Sequence, residues 1–210
     1  MTNKFHAHLD ECRRCAEQPF NLCPVGARLL GAAATGTVAP VVVRKYLMLD
    51  IDGVLNSHRF FAARSAKLAD TAYVAGQSYT PDESREAMLD PEAVARLNRL
   101  VERSGAHVVV SSSWRLVHTV PQIGRALRHH GFQHALVGRT PYSSIGNNTN
   151  RRGLEIATWL RDNAKEPYAL VILDDSADMG ELLPRLVRTT YDEGLTDEHV
   201  QLALEMLGIT

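Results

Sequence analysis

The stretch YLMLDIDGVLN, residues 46–56, decides the fold. Its apolar run predicts a buried β-strand that ends in two carboxylates, Asp50 and Asp52, followed by Gly53. Two carboxylates at a strand end repel each other, and a cation between them would remove that repulsion. The pair also suits phosphoryl transfer, in which Asp50 attacks phosphorus and Asp52 protonates the leaving oxygen and then deprotonates water. The alternative is a strand that ends in solvated acids at a tight turn.

A second stretch, YALVILDDSAD at residues 168–178, is again an apolar strand that ends in paired carboxylates. The carboxyl ends of parallel strands meet at one edge of a sheet, so Asp174 and Asp175 would converge with the first pair around Mg²⁺. The predicted Mg²⁺ ligands are Asp50, Asp52 through its backbone carbonyl, Asp174 and Asp175. The alternative is a helix cap, with Asp174 or Asp175 capping and Asp178 in the first turn.

The stretch HVVVSSSWR, residues 107–115, runs from a further strand into hydroxyl groups and an arginine. Ser111 would donate to a phosphate oxygen, and Ser112 beside it is a second candidate contact with substrate. Arg115 suits a bidentate contact with phosphate, and Trp114 could stack on a base. The alternatives are an ordinary serine cap and a tryptophan of the core.

Two consecutive arginines open a helix ahead of the second acidic strand, in the stretch RRGLEI at residues 151–156. A cation is needed to neutralise phosphate charge and to hold the nucleophile, and either Arg151 or Arg152 could supply it. The alternative is a solvated pair of arginines in a loop.

Short apolar runs alternate with helical patterns along the chain. Strands are predicted at 41–49, 107–110, 135–137, 169–173 and 186–189. One helix is predicted from Pro91, with Asp90 as its N-cap and Gly105 as its stop, and others at 120–130, 154–161 and 197–207. Continuously apolar strands that alternate with helices indicate an α/β fold whose mainly parallel sheet is covered on both faces.

The chain divides into zones of different composition. Residues 1–32 hold every cysteine and predict a small amino-terminal module, and residues 33–43 predict a linker and the start of the first strand. Residues 44–210 form the predicted α/β domain. Within it, residues 57–88 are long for a βα connection and predict a short cap-like insertion over the carboxyl ends of the strands.

The overall composition is that of an ordinary globular chain. Of the 210 residues, 45% are hydrophobic, and the formal net charge of −1 gives no electrostatic footprint for nucleic acid or a membrane. The first residues form no apolar segment of the signal-peptide type, and the apolar-leaning stretch 25–43 is interrupted by Arg28 and by glycines. We therefore expect a cytoplasmic protein that does not bind membranes.

The cysteines Cys12, Cys15 and Cys23 lie together near the amino terminus. An odd number confined to one end argues against a disulfide framework and for one local site. Helical spacing places His8, Cys12 and Cys15 on one face, and Cys23 could fold back as the fourth ligand of a structural Zn²⁺. The alternatives are His6 as the fourth ligand and free thiols that face the core. The His-x3-Cys-x2-Cys part resembles the zinc-binding helix of anti-sigma factors.

Taken in order, the motifs of the α/β domain resemble those of the haloacid dehalogenase (HAD) superfamily of phosphohydrolases. The segment from Asp50 to Leu55 resembles its first motif, and Ser111 its second. Arg152 or Arg151 then corresponds to the third motif, and Asp174-Asp175 to the fourth. Membership implies a Rossmann-like fold, a catalytic Mg²⁺ and an aspartyl-phosphate intermediate. The aspartate at position 52 implies a phosphatase, because members that dehalogenate lack it.

A narrower likeness links the Ser-Ser-Trp-Arg, Arg-Gly-Leu-Glu-Ile and Leu-Asp-Asp-Ser segments to phosphatase-type domains grouped with nucleic-acid repair proteins. Polynucleotide kinase-phosphatases carry a related domain, whereas this sequence has no Gly-x-x-x-x-Gly-Lys-Ser/Thr loop, so we expect a free-standing phosphatase. The expected substrate is a nucleotide or a nucleic-acid end phosphate, with Ser111 and Arg152 holding the phosphoryl oxygens. The rival hypotheses are a small-metabolite phosphatase and a non-catalytic adaptor that contacts a protein partner through the amino-terminal module.

Overall fold

The computed structural model describes residues 4–17, 22–35, 43–70, 88–144, 150–164 and 167–209. The chain divides into two units, each of which packs mainly against itself. One contains the described residues of Met1–Arg44 and Lys165–Tyr168, and the other those of Lys45–Ala164 and Ala169–Thr210.

The amino-terminal unit contains the helices α1 (Lys4–Glu11), α2 (Arg13–Glu17) and α3 (Pro24–Thr35). Cys12 separates α1 from α2, yet its N–H still donates to the His8 carbonyl at 2.9 Å, so the helical spacing continues across the break. Residues 33–35 of the predicted linker belong to α3, and residues 36–42 lie outside the described residues.

A five-stranded sheet has the order β3-β2-β1-β4-β5. Its strands are β1 (Arg44–Leu49), β2 (His107–Val110), β3 (Leu136–Arg139), β4 (Tyr168–Asp174) and β5 (Leu186–Arg188). The pairs β1–β2, β2–β3 and β4–β5 are parallel. The central residues of β1 and β4 are fully buried, as expected for strands covered on both faces. The structure thereby confirms the predicted α/β fold with a Rossmann-like sheet.

Helices lie between and after these strands. They are α4 (His58–Asp70), α5 (Pro91–Ser104), α6 (Val120–His129), α7 (Arg151–Asn163) and α8 (Asp197–Met206), and 3₁₀ helices occupy Ser113–Leu116 and Gly180–Arg185. Of the predicted cap-like insertion at 57–88, α4 is described and residues 71–87 lie outside the described residues. Among the described helices, none combines the length and apolar character needed to cross a bilayer.

Local signals set the boundaries of α5 as predicted. The Asp90 carboxylate accepts a hydrogen bond from the Glu92 N–H at 2.9 Å, and Pro91 begins the helix. Gly105 ends it with a φ of 64°, in the left-handed region that favours glycine. Leu97 is among the buried residues of its inner face.

The helix α7 begins at Arg151, where the arginine pair predicts a helix start, and not at Leu154, where the helical pattern of 154–161 begins. The N-cap residue Asn150 makes no side-chain cap hydrogen bond here. Instead, Asp178 in the loop after β4 accepts from the Arg152 N–H through its carboxylate, at 3.2 Å, and from the Gly153 N–H through its carbonyl, at 3.0 Å. This tertiary contact adds the first turn of the helix and fixes it against the β4 loop.

The order of the strands places a crevice at the ends of β1 and β4. From β1, the strands β2 and β3 lie on one side and β4 and β5 on the other. Ligands bind outside the carboxyl ends of the strands where the strand order reverses in this way. Asp50 follows β1 directly and Asp174 is the last residue of β4, so both lie at the crevice.

We expect Gly153→Ala to lower the free energy of unfolding by about 1–3 kcal/mol, because the added Cβ would lie 1.9 Å from the Met179 carbonyl oxygen. The matched control is Gly124→Ala in α6, where the nearest atom is the mobile end of Arg128 at 3.3 Å. That change should be neutral or stabilise by up to about 1 kcal/mol through helix propensity. Urea unfolding of both variants measures the difference, and equal effects would contradict the close approach of α7 to the β4 loop.

Candidate active site

The loops after β1, β2 and β4 lie side by side. The Asp50 N–H donates to the Leu173 carbonyl at 2.9 Å, and the Ser111 N–H donates to the Leu49 carbonyl at 2.8 Å. Each bond extends the sheet by one residue beyond the strand. The side chains that follow the three strands therefore share one edge of the sheet.

Asp50, Asp174 and Asp175 form an acidic cluster at this edge. One carboxylate oxygen from each lies within 4.8 Å of the others. Asp174 is fully buried and Asp50 is 6% exposed, so their charges repel each other with little screening. Burial and the Asp50 charge raise the pKa of Asp174 to about 8, although Arg152 opposes the shift. Burial also raises the pKa of Asp50, against the effect of Arg152.

Gly53 allows the first loop to approach the cluster closely. Its φ of 73° lies in the left-handed region, and a Cβ at this position would lie 2.7 Å from a carboxylate oxygen of Asp175. A larger residue would therefore be strained twice, by its backbone and by the carboxylate.

Arg152 brings positive charge to the cluster. Its Nε lies 3.5 Å from Asp174 Oδ2, and its terminal nitrogen Nη1 is buried without a hydrogen-bond partner among the described residues. Burial would lower the pKa of Arg152, but the Asp50 and Asp174 carboxylates raise it and keep the group charged. Arg151 is exposed. Of the two arginines offered by the sequence, the geometry therefore brings Arg152 to the acidic residues.

The two serines after β2 have different surroundings. The Ser111 hydroxyl is fully buried and has no hydrogen-bond partner among the described residues. The Ser112 hydroxyl accepts from the Trp114 N–H at 3.3 Å and also bonds to Asp50, which lowers the pKa of that carboxyl. Ser111 thus has free bonding capacity, whereas Ser112 is engaged with the protein.

Arg115 is buried beneath the site and is engaged with the protein. It forms an ion pair with Glu155 of α7 and donates to the carbonyls of Ser111 and Ser112. The other oxygen of Glu155 accepts from the Ser143 N–H at 3.0 Å. The guanidinium predicted to bind phosphate therefore fixes the turn after β2 to α7 in this structure.

Asp52 stands apart from the acidic cluster, although it lies two residues after Asp50. Its Oδ1 accepts from the Asn56 amide at 2.9 Å, and its Oδ2 accepts from the Trp114 indole N–H at 3.0 Å. Trp114 is partly buried and packs against the main core. The two acids of the first motif thus have separate environments in this structure.

Asn56 and Glu155 are residues of the site that the sequence reasoning missed. Both are almost fully buried. Glu155 had a readable signal, since it shares the inner face of α7 with Ile156, Trp159 and Leu160, where an acid needs a partner. Asn56 ends the apolar run of the first motif, and its position gives no comparable sign of the amide's target.

The described residues at this edge suit a divalent cation. Mg²⁺ prefers carboxylate and carbonyl oxygens, and the three carboxylates of the cluster supply them. Asp174 Oδ2 is buried, and among the described residues it has no hydrogen-bond partner, only the ion-pair contact with Arg152. A cation would offset the repulsion that burial enforces.

A second group of candidate metal ligands lies in the amino-terminal unit. One ligand atom from each of His8, Cys12, Cys15 and Cys23 lies within 4.8 Å of the others. His6, the alternative ligand, is exposed and outside this group. The group has the residue types of a tetrahedral zinc site.

Comparison with protein families agrees with the geometry of the sheet edge. The family model for the HAD domain in Swiss Army Knife RNA repair proteins matches residues 46–200. The chain belongs to this family. The match runs from within β1 into α8 and so includes every residue of the acidic site, and it confirms the resemblance drawn from the motifs. Comparison with curated proteins gives no significant match.

Because the pKa of Asp174 is raised in the folded state, this HAD-family protein should lose stability with rising pH when metal is absent. With a pKa of about 8, Asp174 keeps its proton in the folded state up to about pH 8, whereas the unfolded chain releases it near the ordinary aspartate pKa of 3.8. The folded state therefore binds more protons between these values, and the free energy of unfolding falls as pH rises.

Asp174→Asn should remove part of this fall, so its stability relative to wild type should increase by at least about 1 kcal/mol between about pH 5 and about pH 8. Urea unfolding in chelator measures it. Asp162→Asn, at an exposed carboxylate of α7, is the control and should follow the wild type. A pH-independent difference for Asp174→Asn would contradict the raised pKa.

Proposed function

We propose that the protein is a Mg²⁺-dependent phosphatase that forms an aspartyl-phosphate on Asp50 and acts on a nucleic-acid end phosphate. The observation that carries this proposal is a set of buried polar groups with unmet bonding capacity beside Asp50. They are the Ser111 hydroxyl, Arg152 Nη1 and Asp174 Oδ2. Ser111 follows β2, Arg152 lies in the first turn of α7, and Asp174 ends β4. Buried polar groups are rarely left unpaired in folded proteins, so three of them together favour a bound ligand that completes their bonding.

Asp50 is the proposed nucleophile. A carboxylate oxygen attacks phosphorus while Ser111 and Arg152 hold the phosphoryl oxygens, which fits a donor and a charged group beside the attacking residue. The bond from phosphorus to the leaving oxygen breaks as the bond to Asp50 forms. Arg115 acts indirectly, because it donates hydrogen bonds to the carbonyls of Ser111 and Ser112 and so fixes the turn that carries them.

Asp52 is the proposed acid and base. It gives its proton to the leaving oxygen, then takes a proton from the water that attacks the aspartyl-phosphate, and so regains its starting state. Its separation from the acidic cluster supports this role, since its carboxylate is held by Asn56 and Trp114. Asp50 and phosphate are released in the second step.

Asp50, Asp174, Asp175 and the Asp52 carbonyl are the proposed ligands of Mg²⁺. When bound, the cation supplies positive charge that offsets the charge of the transferred phosphoryl group. The carboxylates themselves orient the site, because Asp174 also pairs with Arg152 and Asp175 packs against Gly53.

The proposed substrate is a phosphorylated RNA end. The family is described by its occurrence in RNA repair proteins. Arg151, exposed beside the partly buried Arg152, could contact the next phosphate of a chain. A mononucleotide or a sugar phosphate has no phosphodiester next to the phosphate that is removed.

Asp50→Asn should lower kcat by more than about 1,000-fold while the protein stays folded, because an amide cannot attack phosphorus. Hydrolysis of 5′- and 3′-phosphorylated oligoribonucleotides, with and without Mg²⁺, measures this loss. Acid quenching of the wild type with radiolabelled substrate should trap labelled protein, and the variant should trap none. Asp162→Asn, an exposed change on α7, should leave both readouts unchanged.

Turnover by Asp50→Asn within about tenfold of the wild type would overturn the nucleophile assignment. The same assay with nucleotides and sugar phosphates tests the substrate separately. A clear preference for sugar phosphates would remove the nucleic-acid proposal and leave the phosphatase proposal standing.

We also propose that His8, Cys12, Cys15 and Cys23 hold a structural Zn²⁺. Two of the sulfurs accept hydrogen bonds from backbone N–H groups. The Cys23 N–H donates to Cys15 Sγ at 3.2 Å, and the Gly26 N–H donates to Cys23 Sγ at 3.3 Å. Burial would raise the pKa of the Cys23 thiol, but hydrogen bonds with Gly26, Cys15 and His8 lower it to about 7. A thiolate, the form that binds metal, is therefore accessible near neutral pH.

Purified protein should contain about one zinc per chain, and Cys23→Ser should lose most of it, because a four-ligand site depends on each ligand. His6→Ala is the matched control and should retain the metal. Elemental analysis measures the content, and Mg²⁺-dependent turnover should survive zinc loss because the acidic site uses none of these residues. Zinc-free protein with three freely titratable thiols, prepared without chelator, would refute the site.

A further inference from the structure

Both oxygens of the Asp52 carboxylate accept hydrogen bonds from neutral donors, which come from two loops. The Asn56 amide donates to Oδ1 at 2.9 Å, and its own oxygen accepts from the Gly53 N–H at 2.9 Å. The Trp114 indole donates to Oδ2 at 3.0 Å. Asn56 belongs to the same loop as Asp52, whereas Trp114 reaches across from the turn after β2. The Trp114 contact is therefore the one that ties Asp52 to a second element.

The Trp114 ring is itself held in place. It packs against the main core, and the His118 ring lies beside it with centroids 5.9 Å apart. Its turn is fixed on both sides, because Arg139 donates to the Arg115 and His118 carbonyls and Arg115 pairs with Glu155. A donor mounted on so many contacts can hold a carboxylate in one orientation.

We propose that Trp114 is a positioning residue: its indole N–H holds the Asp52 carboxylate away from the acidic cluster and towards the leaving oxygen. This inference rests on the acid and base role of Asp52 proposed above. Gly53, the next residue after Asp52, lies close to the Asp175 carboxylate, so the orientation of Asp52 in the first loop depends on fixed donors. Each oxygen accepts one bond and keeps a second lone pair for the moving proton.

This role differs from base stacking. A stacking tryptophan would contribute to substrate binding, and its loss would raise KM. A tryptophan that orients the acid contributes to proton transfer, so its loss should lower kcat for substrates whose leaving oxygen needs a proton. Substrates with good leaving groups need no proton in the first step, and should phosphorylate Asp50 at a nearly unchanged rate.

The test replaces Trp114 with its benzothiophene isostere, which keeps the shape of the ring and exchanges the N–H for sulfur, and compares it with Trp114→Phe. For an alkyl phosphate, kcat should fall roughly ten- to a hundredfold with KM nearly unchanged. This loss is a part of the rate enhancement that general acid catalysis usually supplies. For an aryl phosphate with a good leaving group, the burst of aryl alcohol should stay within about threefold of the wild type, and the later turnover should slow because water activation also uses Asp52.

Trp159→Phe is the matched control, because Trp159 is buried on α7 and contacts Tyr46 with its ring edge. It should lower stability without changing the ratio of alkyl to aryl rates. Three results for the isostere would each overturn the role of Trp114. They are wild-type rates on the alkyl phosphate, equal losses of rate on the alkyl and aryl phosphates, and a change in KM alone.

Asp52→Asn separates this inference from the proposal beneath it. If Asp52→Asn loses alkyl turnover selectively and the isostere does not, Trp114 is only a core residue. If Asp52→Asn shows no selectivity for the leaving group, the acid and base role of Asp52 fails, and the inference fails with it.

Discussion

Three carboxylates, two of them buried, meet at one edge of the sheet, and their mutual repulsion is the constraint on which the rest of the site depends. Burial raises the pKa values of Asp50 and Asp174, and Arg152 opposes the shift in both. The β4 loop bonds to the start of α7 through Asp178, and this contact holds the arginine where its charge is needed. A ligand that brings both a cation and an anion would satisfy the acids and the arginine together.

The second constraint is that two aspartates in one short loop must face different partners. Asp50 continues the line of β1, whereas Asp52 lies in the turn that follows and bonds to Asn56 and Trp114. Gly53 permits this turn with its left-handed backbone and leaves room for Asp175. The separate environments of Asp50 and Asp52 thus follow from backbone geometry and from donors on a neighbouring loop.

Much of the fold was readable because its signals are local. Apolar runs predicted the strands, Asp90 and Gly105 marked the ends of α5, and carboxylates at strand ends marked the edge that carries the site. The helical pattern of 154–161 misses the first turn of α7 because that turn is stabilised by Asp178, which lies far along the chain. The contacts of Arg115 with Glu155 and of Asp52 with Trp114 are also long-range and could not be read from the sequence.

The sequence by itself determined the α/β class, the order of the motifs and the residue types of both candidate metal groups, because apolar periodicity and strand-end acids are properties of short segments. Only the tertiary structure decided which arginine approaches the acids, that Ser111 and not Ser112 keeps an unpaired hydroxyl among the described residues, and that Trp114 donates to Asp52. These outcomes depend on distances between loops separated by many residues, which packing sets and local sequence does not encode.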